Sequence, residues 1–466
     1  MNTAIIEEEQ IGYSKEFVSA VCNEFMEHNN KIPFELYDRY DIKRGLRNDD
    51  GTGVMTGLSL IGSVIGYSVI DGERTPQEGK LVYRGINVKH LIAGFTAEDR
   101  FGYEETAYLI LFGSLPTPTE LADFRRILSE WSALPQGFTE DMILKAPSRD
   151  IMNKLGRSIL ALYSYDQEAE RQTLEAELFQ AMRLIARAPI IAAQAYSVKR
   201  HYYDDESLYI HRPQPDLSIA ENFLYSVRHD KSFTNEEAKL LDLCMVLHAE
   251  HGGGNNSAFA CRVLSSSGTD IYSAISAAVG SLKGPKHGGA NRKVMEMFGY
   301  IKENVGNWKD DDEVRGFLKK LLSGEAGDKS GKIYGMGHAV YTLSDPRVDV
   351  LKSAARQVAE EKGMLAELEL LESVERLTPD VFEKDKVLCA NVDMYSGLIY
   401  SMLGIPEELY TPLFAIARMV GWCAHRIEEV YNSYPRVIRP AYKSVSAPTK
   451  YVPLSERTHA SWSINN

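Results

Sequence analysis

Cysteine is scarce in this 466-residue chain: there are five, Cys22, Cys244, Cys261, Cys389 and Cys423, scattered and without a C-x-x-C pair. That spacing excludes zinc-ribbon and thioredoxin-type motifs and argues against a disulfide framework, so free thiols in a reduced cytoplasm are expected. Basic charge is also in deficit, with 52 Lys and Arg against 65 Asp and Glu and a formal net charge of −13. A general nucleic-acid partner would require a basic stripe, and none is expected here. No apolar run approaches the roughly 18 residues that a spanning helix needs, which excludes a helical membrane protein. The opening MNTAIIEEEQ is acidic and lacks an apolar segment, so neither a secretory signal nor an Arg-rich transit peptide is predicted. Strand signals are few, the best being VYRGINV around 82–88.

Helical periodicity fills the rest. Leu174, Leu178, Met182 and Ile185 recur as one stripe of a 3.6-residue helix. Thr234 and Glu237 form a capping box that opens another helix, carrying Leu240, Leu241, Cys244 and Leu247 until Gly252-Gly253-Gly254 stops it. Residues 269–282 present Ser273, Ala277 and Gly280, small enough for close helix–helix approach. The KDDDE run at 309–313 reads as a helix start, its carboxylates meeting the positive end of the helix dipole. A break follows His287, with a fresh helix expected from about Asn291. Beyond Arg439-Pro440 the chain turns rich in Ser, Thr and Pro with no helical period, as suits a disordered tail or an extended arm. The fold class is all-α.

Three patterns imitate known sites. GDKSGKI at 327–333 lacks the first glycine of a phosphate loop and has Ile333 in place of the metal-binding hydroxyl. GTGVMTG at 51–57 follows no strand, and HAEH at 248–251 places two histidines on one helix face without completing a zinc motif. More informative are His248 and His251 ahead of the three glycines, His287 in GPKHGGAN and His338 in YGMGHAVY. A ring held in a Gly- and Pro-bounded turn is presented to a ligand more readily than one on an apolar stripe. Asp345-Pro346-Arg347, Asn391-Val392-Asp393, Arg418 and Arg439 follow. A carboxylate, turn-borne histidines and several arginines match proton abstraction beside a clamp for a small di-anion.

The segments LHAEHGGGNNSAF, SLKGPKHGGANRKV, GMGHAVYTLSDPR, NVDMYSG, FAIARMVGWCAHRIEE and IRP, in this order over roughly residues 240–440, resemble the successive signatures of citrate synthases. The first 240 residues resemble the family more weakly, through YRG at 83–85. The resemblance implies a citrate-synthase-like all-α architecture, with a large helical domain (1–290, including an extension over 1–50), a small domain (291–400), and a return to the large domain with a C-terminal arm (401–466). The active site would lie in the cleft, which closes after oxaloacetate binds.

The resemblance further implies that Asp393 removes a methyl proton from acetyl-CoA, that His287 hydrogen-bonds the thioester oxygen, and that His338 binds and protonates the oxaloacetate carbonyl. His251, Arg347 and Arg418 would hold the carboxylates, Phe414 would line the pocket, and Arg439 would be supplied by the second subunit of a homodimer. Two positions depart from the pattern: Gly252 stands where many members have Glu, and Thr342 where many have a basic residue that helps hold coenzyme A. Lys386 then becomes the candidate for that contact, with Gly335 and Gly337 beside the coenzyme. The implied reaction condenses acetyl-CoA with oxaloacetate to citrate and coenzyme A, with no metal or bound cofactor. The alternatives are a 2-methylcitrate synthase using propionyl-CoA and an inactive metabolite-binding homologue.

Overall fold

The computed structural model describes residues 32–70, 73–382, 388–431, 434–448 and 450–457, with positions 15, 18, 19 and 22. Backbone contacts separate Met1–Gly57 with Arg439–Asn466 from Leu58–Ile438. In the first unit, the short helix α1 (Glu35–Arg39) precedes a 3-10 turn, Arg44–Leu46. The Arg44 guanidinium lies 5.3 Å from both the Phe34 and Tyr37 ring centres. Residues 440–448 carry neither helix nor strand, and Lys443 stands 5.6 Å from the Tyr40 ring centre.

The second unit begins with an antiparallel sheet in the order β1 (Gly62–Ile70), β2 (Glu73–Tyr83), β3 (Ile86–Asn87). Helices follow: α2 (Val88–Ala97), α3 (Tyr103–Phe112), α4 (Pro118–Trp131), α5 (Ile151–Leu162), α6 (Leu174–Tyr203), α7 (Ile219–Val227), α8 (Asn235–His248), α9 (Asn256–Ser265) and α10 (Ile271–Lys283). After a turn come α11 (Ala290–Asn304), α12 (Asp311–Leu322), α13 (Pro346–Glu361), α14 (Leu365–Val381), α15 (Asp393–Met402) and α16 (Tyr410–Val430). The Thr234–Glu237 capping box opens α8, and Asp310 caps α12 through the amides of Asp312 and Glu313. The small-residue helix α10 packs against α5, α9 and α16, and α16 also packs on α6. Trp422 and Arg418 of α16 are among the largest fully buried side chains.

Three local expectations are corrected. The stripe on α6 is out of phase at its start: Leu174 is exposed and Leu178 only partly covered, while Glu177 and Gln180 are buried. Those polar groups belong inside because Glu177 pairs with buried Arg426, and Gln180 donates to Asp166 and to the Glu168 carbonyl. The helix α8 ends at His248 rather than at the three glycines, so His248 and His251 do not share a helix face. Finally, the hairpin β1–β2 was foreshadowed only by its last residues. Pro76, Gly79 and several charges give β2 poor strand propensity, and the β1 register shifts between Ile65 and Tyr67. Tertiary packing secures it. A Cβ on Gly66 would collide with the Val340 carbonyl oxygen, and Thr342 Oγ donates to the Gly66 carbonyl at 2.7 Å. The hairpin is thereby fastened to the segment that carries His338.

Candidate active site

One stripe of α16 organises the site. Phe414, Arg418, Trp422 and His425 are spaced by four, four and three residues, so they project from one side of the helix. Arg418 donates through Nε to the His248 carbonyl, while both its terminal nitrogens are buried without a hydrogen-bond partner. Burial lowers its pKa to about 10, opposed chiefly by the Glu250 carboxylate. A guanidinium with two open nitrogens away from water is a receptor for an anion, because leaving those donors unpaired is costly. Phe414 lies beneath it, with 4.8 Å between the guanidinium carbon and the ring centre.

Imidazoles surround this receptor. His248, at the end of α8, lies 4.3 Å from the Phe414 ring centre. Burial holds both His248 and His251 well below the usual imidazole range, with Arg347 the largest charge acting in the same direction. The His251 ring centre is 5.1 Å from that of His338. The turn after α10 presents His287, whose Nε2 lies 3.0 Å from Ser257 Oγ. Burial, assisted by Arg418, lowers His287 to about 4, so this ring is neutral at pH 7.

His338 and Asp393 come from two chain segments that are tied together. Met336 and Ala390 form an antiparallel bridge, Gly337 N–H donates to the Cys389 carbonyl at 2.8 Å, and Asn391 N–H donates to the Gly335 carbonyl at 2.8 Å. The Asn391 side chain closes the link by donating to the Gly337 carbonyl, and it accepts the Asp393 N–H at 3.0 Å. Gly335 and Gly337 have φ of 82° and 89°, backbone that a side chain would strain, and a Cβ on Gly335 would stand 3.0 Å from Met394 Cα. His338 Nδ1 accepts the N–H groups of Val340 and Tyr341, each at 3.1 Å. Its tautomer is thereby fixed with the proton on Nε2.

Asp393 begins α15 and is partly exposed. Burial pushes its carboxyl up to about 6; Arg347 resists the shift and Asp345 adds to it. Arg347, near the start of α13, is gripped by Asp345 through Nε at 2.9 Å and Nη2 at 2.6 Å, and the two are buried together. Among the described residues, no group of three or more His, Cys, Asp or Glu is placed to hold a metal ion.

Of the residues expected from sequence, His251, His287, His338, Arg347, Asp393, Phe414 and Arg418 all lie in the unit Leu58–Ile438. Gly335 and Gly337 shape the His338 segment. Arg439 is exposed and belongs to the other unit. Lys386 lies outside the described residues. Sequence reasoning overlooked Ser257, Glu250 and His425. Trp422 Nε1 donates to Ser257 Oγ at 3.1 Å, and His425 Nε2 meets Glu250 Oε1 at 2.9 Å. His425 could have been found by its seven-residue spacing from Arg418, two turns along the same face.

These features define a predominantly helical enzyme in which a carboxyl raised toward neutrality, neutral imidazoles and a buried guanidinium with two unpartnered nitrogens occur together. The family model described as "Citrate synthase, C-terminal domain" matches residues 53–441. A glyoxysomal citrate synthase of Cucurbita maxima is 36% identical over 407 residues, covering 84% of this chain and 73% of the relative. A 2-methylcitrate synthase of Shewanella oneidensis is 32% identical over 409 residues, covering 86% and 98%. The ternary complex of carboxymethyl coenzyme A and oxaloacetate with citrate synthase from Thermoplasma acidophilum superposes with a TM-score of 0.73 at 27% identity, covering 89% of this chain and 99% of that one. The chain belongs to the citrate synthase family.

Proposed function

We propose that the protein condenses acetyl-CoA with oxaloacetate and hydrolyses citryl-CoA to citrate and coenzyme A, as at the entry to a tricarboxylic acid cycle. The observation that carries this reading is the pair of unpartnered Arg418 nitrogens beside a raised Asp393 carboxyl and neutral imidazoles. One oxaloacetate carboxylate occupies Arg418, Arg347 and His251 support the di-anion, and Phe414 lines its pocket. His338 Nε2–H faces the ketone oxygen. Asp393 takes a methyl proton from acetyl-CoA while His287 donates a hydrogen bond to the thioester oxygen, so charge there is stabilised as it develops.

Ser257 anchors the His287 ring: its oxygen accepts the Trp422 N–H, lies 3.0 Å from His287 Nε2 and donates to Asn255 Oδ1 at 2.9 Å. The enol carbon then attacks the ketone carbon, His338 protonates the new alkoxide, and water cleaves the thioester. Gly335 and Gly337, with Lys386, face the coenzyme in this scheme, which requires neither metal nor bound cofactor. Arg439 completes the clamp from a second subunit of a C2 homodimer. A reducing cytoplasm is the compartment proposed, supported by the free state of the five cysteines.

The Shewanella relative makes 2-methylcitrate synthesis the second reading. One additional methylene in a pocket discriminates by only about 1–3 kcal/mol. Thiol release measured with oxaloacetate and each acyl-CoA should give the higher kcat/KM with acetyl-CoA. A clear propionyl-CoA preference would reverse the assignment.

A further inference from the structure

Glu250 raises a question that the proposed mechanism leaves open. A buried carboxylate and a buried guanidinium with two open nitrogens are natural partners, yet no bond joins Glu250 to Arg418. They are neighbours: a Cβ added to Gly421 would stand 2.5 Å from Glu250 Oε2 and 3.4 Å from Arg418 Cδ. Glu250 Oε2 is itself buried without a partner. Only Oε1 is held, by His425 Nε2 at 2.9 Å and by the Gly252 N–H.

The hydrogen-bond direction is fixed by the next residue outward. Arg262 approaches His425 Nδ1 with Nε at 3.1 Å and Nη2 at 2.8 Å. Arginine has only protons to give, so Nδ1 accepts and the ring proton sits on Nε2, pointing at Glu250. Arg262 is in turn anchored by Glu428 and Glu429, in the last turns of α16. Glu428 also accepts the Leu60 N–H at 2.7 Å, just ahead of β1. The chain Glu429/Glu428–Arg262–His425–Glu250 thus runs from a partly exposed rim to Glu250, the neighbour of Arg418.

We infer that His425 is a positioning residue: its Nε2–H, with the Gly252 N–H, keeps the Glu250 carboxylate near enough to balance Arg418 but off its two open nitrogens, reserving them for a substrate carboxylate. The inference rests on reading Arg418 as the oxaloacetate anchor. Without the His425 donor, the freed carboxylate would satisfy itself on Arg418, and oxaloacetate would have to displace it. The effect belongs to substrate binding, because the base and the two catalytic histidines are untouched.

Three variants test this: H425L, which removes the donor; H425Q, whose amide can donate to Glu250 and accept from Arg262; and H425L/E250Q, which also makes the competitor neutral. Steady-state rates, oxaloacetate calorimetry and unfolding midpoints are measured for each. H425L should raise the oxaloacetate KM and Kd at least about tenfold, with kcat at saturation changed much less. H425Q should stay close to the parent, and H425L/E250Q should recover much of the lost affinity. An unchanged oxaloacetate KM in H425L, or a double variant no better than H425L, overturns the inference. If H425L does not fold, H425N, too short to bridge Glu250 and Arg262, takes its place with the same expectations. Failure of the parent protein to bind oxaloacetate would instead overturn the reading of Arg418, so the two failures are distinguishable.

Discussion

Asp393→Asn should lower kcat about a thousandfold while leaving the fold and oxaloacetate affinity nearly unchanged. The amide has the shape of the carboxyl and keeps the Asn391–Asp393 backbone link, but it cannot accept the methyl proton. A thioester methyl is a very weak carbon acid, so a carboxylate of ordinary basicity would be a poor match. Burial pushes Asp393 up to about 6, which strengthens it as a base while leaving it mostly ionised at pH 7. The sign of the pH dependence follows. The working form is deprotonated, so kcat/KM of the parent enzyme should fall as pH drops through about 6 and level off above it. His287 titrates lower, at about 4, and would add a second loss only in more acid solution. Residual activity of a tenth in the Asn variant would remove Asp393 from the role of base.

Mixing two inactive proteins should restore activity. If Arg439 serves the neighbouring subunit, an Asp393→Asn chain paired with an Arg439→Leu chain carries both lesions in one composite site and neither in the other. With random exchange, about a quarter of the parent activity should return, since half of the dimers are mixed and each mixed dimer has one intact site. Arg439 is exposed and follows immediately after the unit that holds the other site residues, as suits an arginine that acts outside its own chain's clamp. Absence of recovery, with subunit exchange confirmed, would assign Arg439 to its own subunit's site or to no site at all.

The helical fold was largely legible in the sequence. The Thr234–Glu237 box and the acidic start at Asp310 mark helix ends through local hydrogen bonding, which sequence records directly. The histidines in glycine-rich breaks and the Asp-Pro-Arg and Asn-Val-Asp segments marked the candidate site because loops that bear rare polar residues stand out against helical periodicity. What escaped notice depends on distant partners. Glu177 belongs inside α6 only because Arg426 meets it from α16. The β1–β2 hairpin, despite its weak propensity, is secured where Gly66 and Gly79 press against the His338 segment. Ser257 and the Glu250–His425 pair acquire meaning only when α8, α9 and α16 converge, and no spacing within one segment encodes that convergence.

The proposed site forms a carbon–carbon bond rather than merely hydrolysing a thioester. Acetyl-CoA labelled with carbon-13 at its methyl carbon, incubated with oxaloacetate and protein, distinguishes these outcomes by NMR. The label should appear in a methylene carbon of citrate, and no coenzyme A should be released when oxaloacetate is omitted. Label recovered as the methyl group of free acetate, at a rate indifferent to oxaloacetate, would contradict this.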